Sequence, residues 1–170
     1  MSYPNAERLK EILNYDPKSG VFIWKINRKG PVRAGMMAGR LNKRGYVVIG
    51  IDGSILAAHR VAWIMEHGFL SKNMTIDHIN RDKADNRIAN LRVCSLSDNS
   101  FNKPTYKNNK CGMKGVYFDE SRRGDKKWKA QIYVNRKRIF LGVFLTKEEA
   151  FENYKSASIK YHNEFSIYHP

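Results

Sequence analysis

The sequence predicts an α+β protein in two parts. A hairpin-and-helix module ends near residue 103, and beyond it lies a small three-stranded antiparallel sheet packed on one helix. Three observations carry this. Two short strand-like runs, Met74 to Ile79 and Leu91 to Cys94, flank a polar loop and lead into a helical stretch. Three further strand-like runs end in one long amphipathic helix. Between these regions, Lys103 to Cys111 (KPTYKNNKC) is polar, basic and contains a proline, the composition of a linker. The expected boundaries are 1–103 for the first part, 104–111 for the linker and 112–170 for the second part.

Residues 5–14 read as a short helix with Leu9, Ile12 and Leu13 on one face and Asn5 as its cap. Asp16-Pro17-Lys18-Ser19-Gly20 is a turn before a strand over 21–24. The stretch from Lys25 to Gly45, rich in Gly, Lys and Arg, reads as loops, either facing phosphates or simply solvated. Tyr46 to Ala58 is a hairpin closed by Asp52-Gly53, a preferred two-residue turn. A helix over 59–67 turns Val61, Ala62, Ile64 and Met65 inward and stops at Gly68. After the 74–94 hairpin, Ser95 caps a helix that ends before Pro104.

In the second part, strands are expected over 115–118, 128–134 and 138–142, with turns at Arg123-Gly124-Asp125 and Asn135-Arg136-Lys137. Thr146 and Glu149 form a capping box for the last helix, 147–161. Its buried face is Ala150, Phe151, Tyr154, Ala157, Ser158 and Tyr161. Alternation separates Trp128, Ala130, Ile132 and Val134 from Lys129, Gln131 and Tyr133, without saying which row faces the core.

Lys plus Arg number 31 against 16 Asp plus Glu, a formal charge of +15. Such an excess favours a polyanionic partner, nucleic acid first. With 42% hydrophobic residues the chain is no disordered basic tail. Cys94 and Cys111 cannot build a four-cysteine zinc site, and free thiols in a reducing, cytoplasmic setting are expected. No apolar run approaches the ~20 residues of a membrane span, so no membrane partner is expected.

Asp77-His78 followed by Asn90 and Asn99 carries the chemistry. A neutral imidazole can take a proton from water. A carboxylate and an amide oxygen can share a hard divalent ion that neutralises a phosphodiester as it breaks. Asp77 and Asn99 are the candidate ligands, with Asp98 and Asn102 as rivals of Asn99; His78 is the candidate base, and Asn90 can pin the intervening loop. His59 reads either as a support for this loop, a phosphate contact, or a packed histidine at a helix start.

The run AAHRVAWIMEHG…TIDHINRDKADNRIANLRVCSLSDNSFN resembles the HNH endonucleases of phages and mobile introns, which share a ββα-metal fold. His59-Arg60, Asp77-His78-Ile79-Asn80, Asp85-Asn86-Arg87 and Asn90-Leu91-Arg92 fall in that family's order. The resemblance implies His78 as general base, Asp77 and Asn99 as ligands of one metal ion, and Asn90 as a structural brace. Mg²⁺ is the expected ion, with Mn²⁺ able to substitute. The zinc-binding cysteine pairs of some members are absent from this sequence.

The later string KGVYFDESRRGDKKWKAQIYVNRKRIFLGVFLTKEEAFENYKSASIKYHNEF resembles the APETALA-type, ethylene-response-factor DNA-binding domain. Its hallmarks stand here as Lys114-Gly115-Val116-Tyr117, Trp128-Lys129-Ala130 and Phe140-Leu141-Gly142-Val143-Phe144. Carried over, the DNA contacts fall on Lys114, Tyr117, Gln131, Tyr133, Arg138 and Phe140. Several of these are arginine, glutamate or tryptophan in the plant proteins, so the plant target sequence does not carry over. The two resemblances together imply a homing-type endonuclease acting on double-stranded DNA as a monomer or dimer. The rival reading is a non-catalytic DNA-binding regulator with a degenerate nuclease centre.

Overall fold

The computed structural model describes residues 3–101, 109, 111–134 and 137–168. The chain divides into two compact units, Met1–Leu96 and Ser97–Pro170. Most of the expected linker, the turn at 135–136, Asn102 and His169 lie outside the described residues.

In the first unit, α1 (Ala6–Ile12) starts at Asn5, whose side chain accepts a hydrogen bond from the Arg8 backbone N–H at 2.9 Å. The expected helix to residue 14 is shorter. Leu13 is already extended, and β1 (Leu13–Asp16) pairs antiparallel with β2 (Val21–Trp24). The turn closes this hairpin: Asp16 accepts from the Lys18 N–H and the Ser19 hydroxyl, and Gly20 adopts φ 74°. Leu13 and Tyr15 then point into the core while Asn14 and Asp16 stay out, a period of two rather than 3.6. The basic stretch also contains a strand not expected there. β3 (Arg40–Leu41) pairs with β4 (Val47–Ile51), which pairs with β5 (Ser54–Ala57).

α2 (Ala58–His67) packs Val61, Ala62, Ile64 and Met65 into a core shared with Leu9, Leu13, Phe22, Ile49, Leu56 and Ile76, and it ends at Gly68 with φ 85°. β6 (Thr75–His78) and β7 (Leu91–Cys94) form an antiparallel pair in the register Thr75↔Cys94 to His78↔Leu91. A single 3₁₀ turn, Ile88–Asn90, leads into β7, and α3 (Leu96–Phe101) follows it.

The second unit holds a sheet of order β10-β9-β8, made of β8 (Val116–Phe118), β9 (Trp128–Val134) and β10 (Lys137–Phe144). β10 is longer than expected and carries an irregularity between Phe140 and Gly142. α4 (Lys147–His162) packs on it, burying Ala150, Tyr154 and Ala157 against Val116, Ala130 and Ile132. Thr146 caps α4 by accepting from the Glu149 N–H at 3.1 Å. The α+β expectation of a small antiparallel sheet on one helix is borne out in this unit. Trp128 belongs to the core row, beside Phe118. Tyr161, expected inside, is 41% exposed. The last turn instead faces inward through Ser158 and His162, and His162 Nε2 lies 2.9 Å from the Tyr133 carbonyl oxygen. Neither Cys94 nor Cys111 is in a disulfide.

Candidate active site

Asp77 and His78 occupy the last two positions of β6, and both are buried; His78 is 5% exposed. The hairpin register sets Arg92 directly across from Asp77. The Arg92 guanidinium donates two hydrogen bonds to Asp77 Oδ2, at 3.0 Å from Nε and 2.8 Å from a terminal nitrogen. The carboxylate is thus anchored through Oδ2 by a cation and shielded from water.

His78 sits among aromatic rings. The His59 ring meets it edge-on with centroids 5.0 Å apart, and Tyr46 lies 6.1 Å away. Tyr46 also lies 5.4 Å from His59, so the three rings form one cluster. Tyr46 is set by its turn, where Asn42 accepts from the N–H groups of Arg44 and Tyr46, and Lys83 rests over its ring at 5.0 Å. Burial pushes the His59 imidazole down to about 3, helped by the neighbouring His78 and Arg60, so His59 is neutral across the working pH range. Its Nδ1 is buried without a hydrogen-bond partner among the described residues. Burial also lowers the His78 pKa, while Asn86, Asp77, Asp85 and Asp82 pull it back up.

The loop from Asn80 to Asn90 is held by its own side chains. Asn90 Oδ1 accepts from the Asn80 N–H at 2.9 Å, and Asn90 Nδ2 donates to the Asp85 carbonyl at 2.9 Å. The Asn90 carbonyl accepts from the Ile79 N–H, next to His78. Asn90 thus ties both sides of the loop together. Asp85 is the second knot. It accepts from Asn80 Nδ2 and takes two bonds from the Arg87 guanidinium, at 2.8 and 2.6 Å. The Arg87 guanidinium holds the Asp85 carboxyl at about 2. The sequence singles out Asn90 but not Asp85, Asn86 or Arg92, which stand there only within motif strings.

Asn99 lies on α3, half-buried, in the second unit, whereas Asp77 and His78 belong to the first. Among the described residues no group of three or more His, Cys, Asp or Glu gathers for a metal. Taken singly, the Asp77 carboxylate and the Asn99 amide each offer a hard oxygen, the donor type that suits an ion that keeps several waters of its own.

In the second unit, five candidate DNA contacts share the sheet face away from α4. Tyr117 stands opposite Lys129, Phe140 opposite Gln131, and Arg138 opposite Tyr133. Their row alternates with buried Ala130 and Ile132, and Tyr117, Tyr133, Arg138 and Phe140 are exposed. Lys114 precedes β8, and its charge acts on His162 near the end of α4.

Residues 56–101 match the family model described as HNH endonuclease. An uncharacterized HNH endonuclease, L560, of Acanthamoeba polyphaga mimivirus is 28% identical over 127 residues, which is 74% of this chain and 63% of that protein. Protein 3.8 of Escherichia phage T7 is 33% identical over 64 residues, 38% of this chain and 53% of that protein. The chain therefore spans between half and two thirds of the length of these relatives. The HNH homing endonuclease I-HmuI, solved with respect to DNA binding and cleavage, aligns at a TM-score of 0.43 and 20% identity, covering 59% of this chain and 56% of its own. No helix among the described residues is long and apolar enough to cross a membrane.

Proposed function

We propose that this chain is a homing-type DNA endonuclease that hydrolyses phosphodiester bonds with one divalent ion. The observation that carries the reading is the Asp77-His78 pair at the end of β6, inside the segment 56–101 that matches the HNH endonuclease family. In this reading His78 accepts the proton of the attacking water at its unprotonated ring nitrogen. Asp77, anchored through Oδ2 by Arg92, and Asn99 are the ligands, and Asn90 keeps the loop in place behind His78. A bound Mg²⁺, with Mn²⁺ able to substitute, supplies charge neutralisation at the phosphate and the leaving oxygen. The 5% exposure of His78 sets a condition: DNA engagement must bring a ring nitrogen to water.

The same reading gives the second unit the task of gripping duplex DNA. The row of Tyr117, Gln131, Tyr133, Arg138 and Phe140 is a basic, aromatic sheet face of the size a major groove admits. This follows the APETALA-type resemblance, which makes the sheet face the recruiting surface. One catalytic centre per chain produces a nick, or a double-strand break when two molecules act together. Because phosphate contacts displace counterions, duplex affinity falls steeply as salt rises; a binding isotherm series from low to physiological salt checks this, and a flat series contradicts it.

The rival reading is a DNA-binding regulator without turnover. It is favoured by the buried His78 and by the Arg92 guanidinium already seated on Asp77. Metal titration separates the two. Asp77→Asn and Asn99→Ala each shift the Mg²⁺ concentration for half-maximal cleavage upward by about tenfold or more. An unchanged Mg²⁺ titration in either variant removes that residue from the ligand set.

A further inference from the structure

The strand fixes where the His78 side chain begins but not how its ring is turned. β6 sets the Cβ, while rotation about the next bond is soft and roughly two-fold for an imidazole. A general base must bring one nitrogen within about 2.6–3.2 Å of the proton it takes, so the angle of the ring matters. Two rings stand against it. His59 meets His78 at 5.0 Å with the planes 81° apart, and Tyr46 lies at 6.1 Å with the planes 49° apart. An edge-on pair loses its favourable geometry when either ring turns. His59 is buried, and its Nδ1 has no hydrogen-bond partner among the described residues, so at that atom packing rather than a bond holds the ring. Tyr46 supplies packing to it at 5.4 Å.

Tyr46 is half-buried, the outermost ring of the three, and it is anchored from two directions. The first is its own turn. The Asn42 N–H donates to the Tyr46 carbonyl at 2.9 Å, and the Gly45 N–H donates to the Asn42 carbonyl at 3.0 Å. Asn42 Oδ1 accepts from the N–H groups of Arg44 and Tyr46 at 2.8 and 3.1 Å. The second is Lys83. Its ammonium sits 5.0 Å from the centre of the Tyr46 ring and donates to the Arg44 carbonyl at 3.1 Å. Lys83 belongs to the same Asn80–Asn90 loop that Asn90 ties together. One lysine thus staples the 42–46 turn to the loop that follows His78.

We propose that Tyr46 is a positioning residue: its ring, clamped by the 42–46 turn and by Lys83, holds His59 and His78 at a fixed tilt and so sets the direction in which His78 meets water. The ring carries this role and the hydroxyl does not. The functional half of the inference rests on the proposed role of His78 as base; the ring cluster does not.

The test is NMR of the full chain without metal or DNA, reading nuclear Overhauser contacts among the three rings, together with steady-state nicking in Mg²⁺. The wild type shows contacts from His59 to both His78 and Tyr46. Tyr46→Leu keeps bulk without the ring. It weakens the His59–His78 contact and lowers kcat about tenfold, less than the ~10²-fold that a 1 Å misplacement can cost, with KM for DNA unchanged. Tyr46→Phe keeps the wild-type contacts and restores kcat. Asn42→Ala releases two bonds of the turn and leaves every ring in place. It weakens the same His59–His78 contact and decides the matter if Tyr46→Leu does not fold. An unchanged His59–His78 contact in Tyr46→Leu, or in Asn42→Ala if it stands alone, overturns the inference. So does a raised KM with kcat kept, which would make Tyr46 a DNA contact, or a Tyr46→Phe protein as impaired as Tyr46→Leu. A His78→Ala variant that still cuts would instead overturn the assignment of the base and leave the ring contacts standing.

Discussion

Replacing His78 with alanine lowers DNA cleavage by about 10²–10⁴-fold, the usual worth of a positioned general base, while duplex affinity stays at the wild-type value. The separation of the two effects is what makes the variant informative. His78 is buried within β6 and touches His59 and Tyr46, whereas the candidate duplex contacts lie on the sheet of the second unit. Truncation leaves a small cavity beside two rings and costs about 2–4 kcal/mol of stability at most. Thermal unfolding followed alongside nicking and binding separates a lost base from a lost fold. A folded His78→Ala protein that nicks plasmid at the wild-type rate contradicts the assignment.

Gly115→Ala unfolds the second unit at a much lower temperature. Gly115 adopts φ 74°, which costs an L-residue about 1–2 kcal/mol. A Cβ there would stand 2.1 Å from two ring carbons of Tyr154 and 2.7 Å from the Gln131 carbonyl oxygen. Tyr154 is buried in the core of the unit, and the Gly115 carbonyl accepts from the Gln131 N–H at 2.9 Å. Neither neighbour has room to move, so overpacking adds about 1–3 kcal/mol. A total near ~3 kcal/mol lowers the melting temperature by about 12–24 °C in a unit of this size. Hydrogen exchange of the β9 amides reads this unit on its own. Unchanged β9 protection in Gly115→Ala contradicts the packing described here.

The sequence made the parts with a clear hydrophobic period legible. The 74–94 hairpin, α2, the three strands of the second unit and α4 each alternate or repeat over enough residues to be seen. β1 was hidden because Ile12 and Leu13 extend the helical period of α1 one step past its end, and only the pairing with β2 pulls Leu13 into a strand. β3 has two residues, too few for any period. The Asp77-His78 pair stood out by its chemistry. Arg92 did not, although the hairpin register places it across from Asp77, because register emerges only once both strand ends are fixed. Asn86 was illegible for a different reason. It sits in a polar loop, where burial leaves no compositional trace, and its partner Tyr15 lies 71 residues away. His162 belongs to none of the motifs, and the strand carbonyl of Tyr133 that its ring meets is brought near only by the fold.

Incubating the purified full chain with supercoiled plasmid, in Mg²⁺ and separately in EDTA, measures the central claim most directly. The account predicts conversion to nicked or linear DNA in Mg²⁺ and intact supercoils in EDTA. Plasmid that is bound yet stays supercoiled in both Mg²⁺ and Mn²⁺ would contradict it and leave the chain as a DNA-binding protein without turnover.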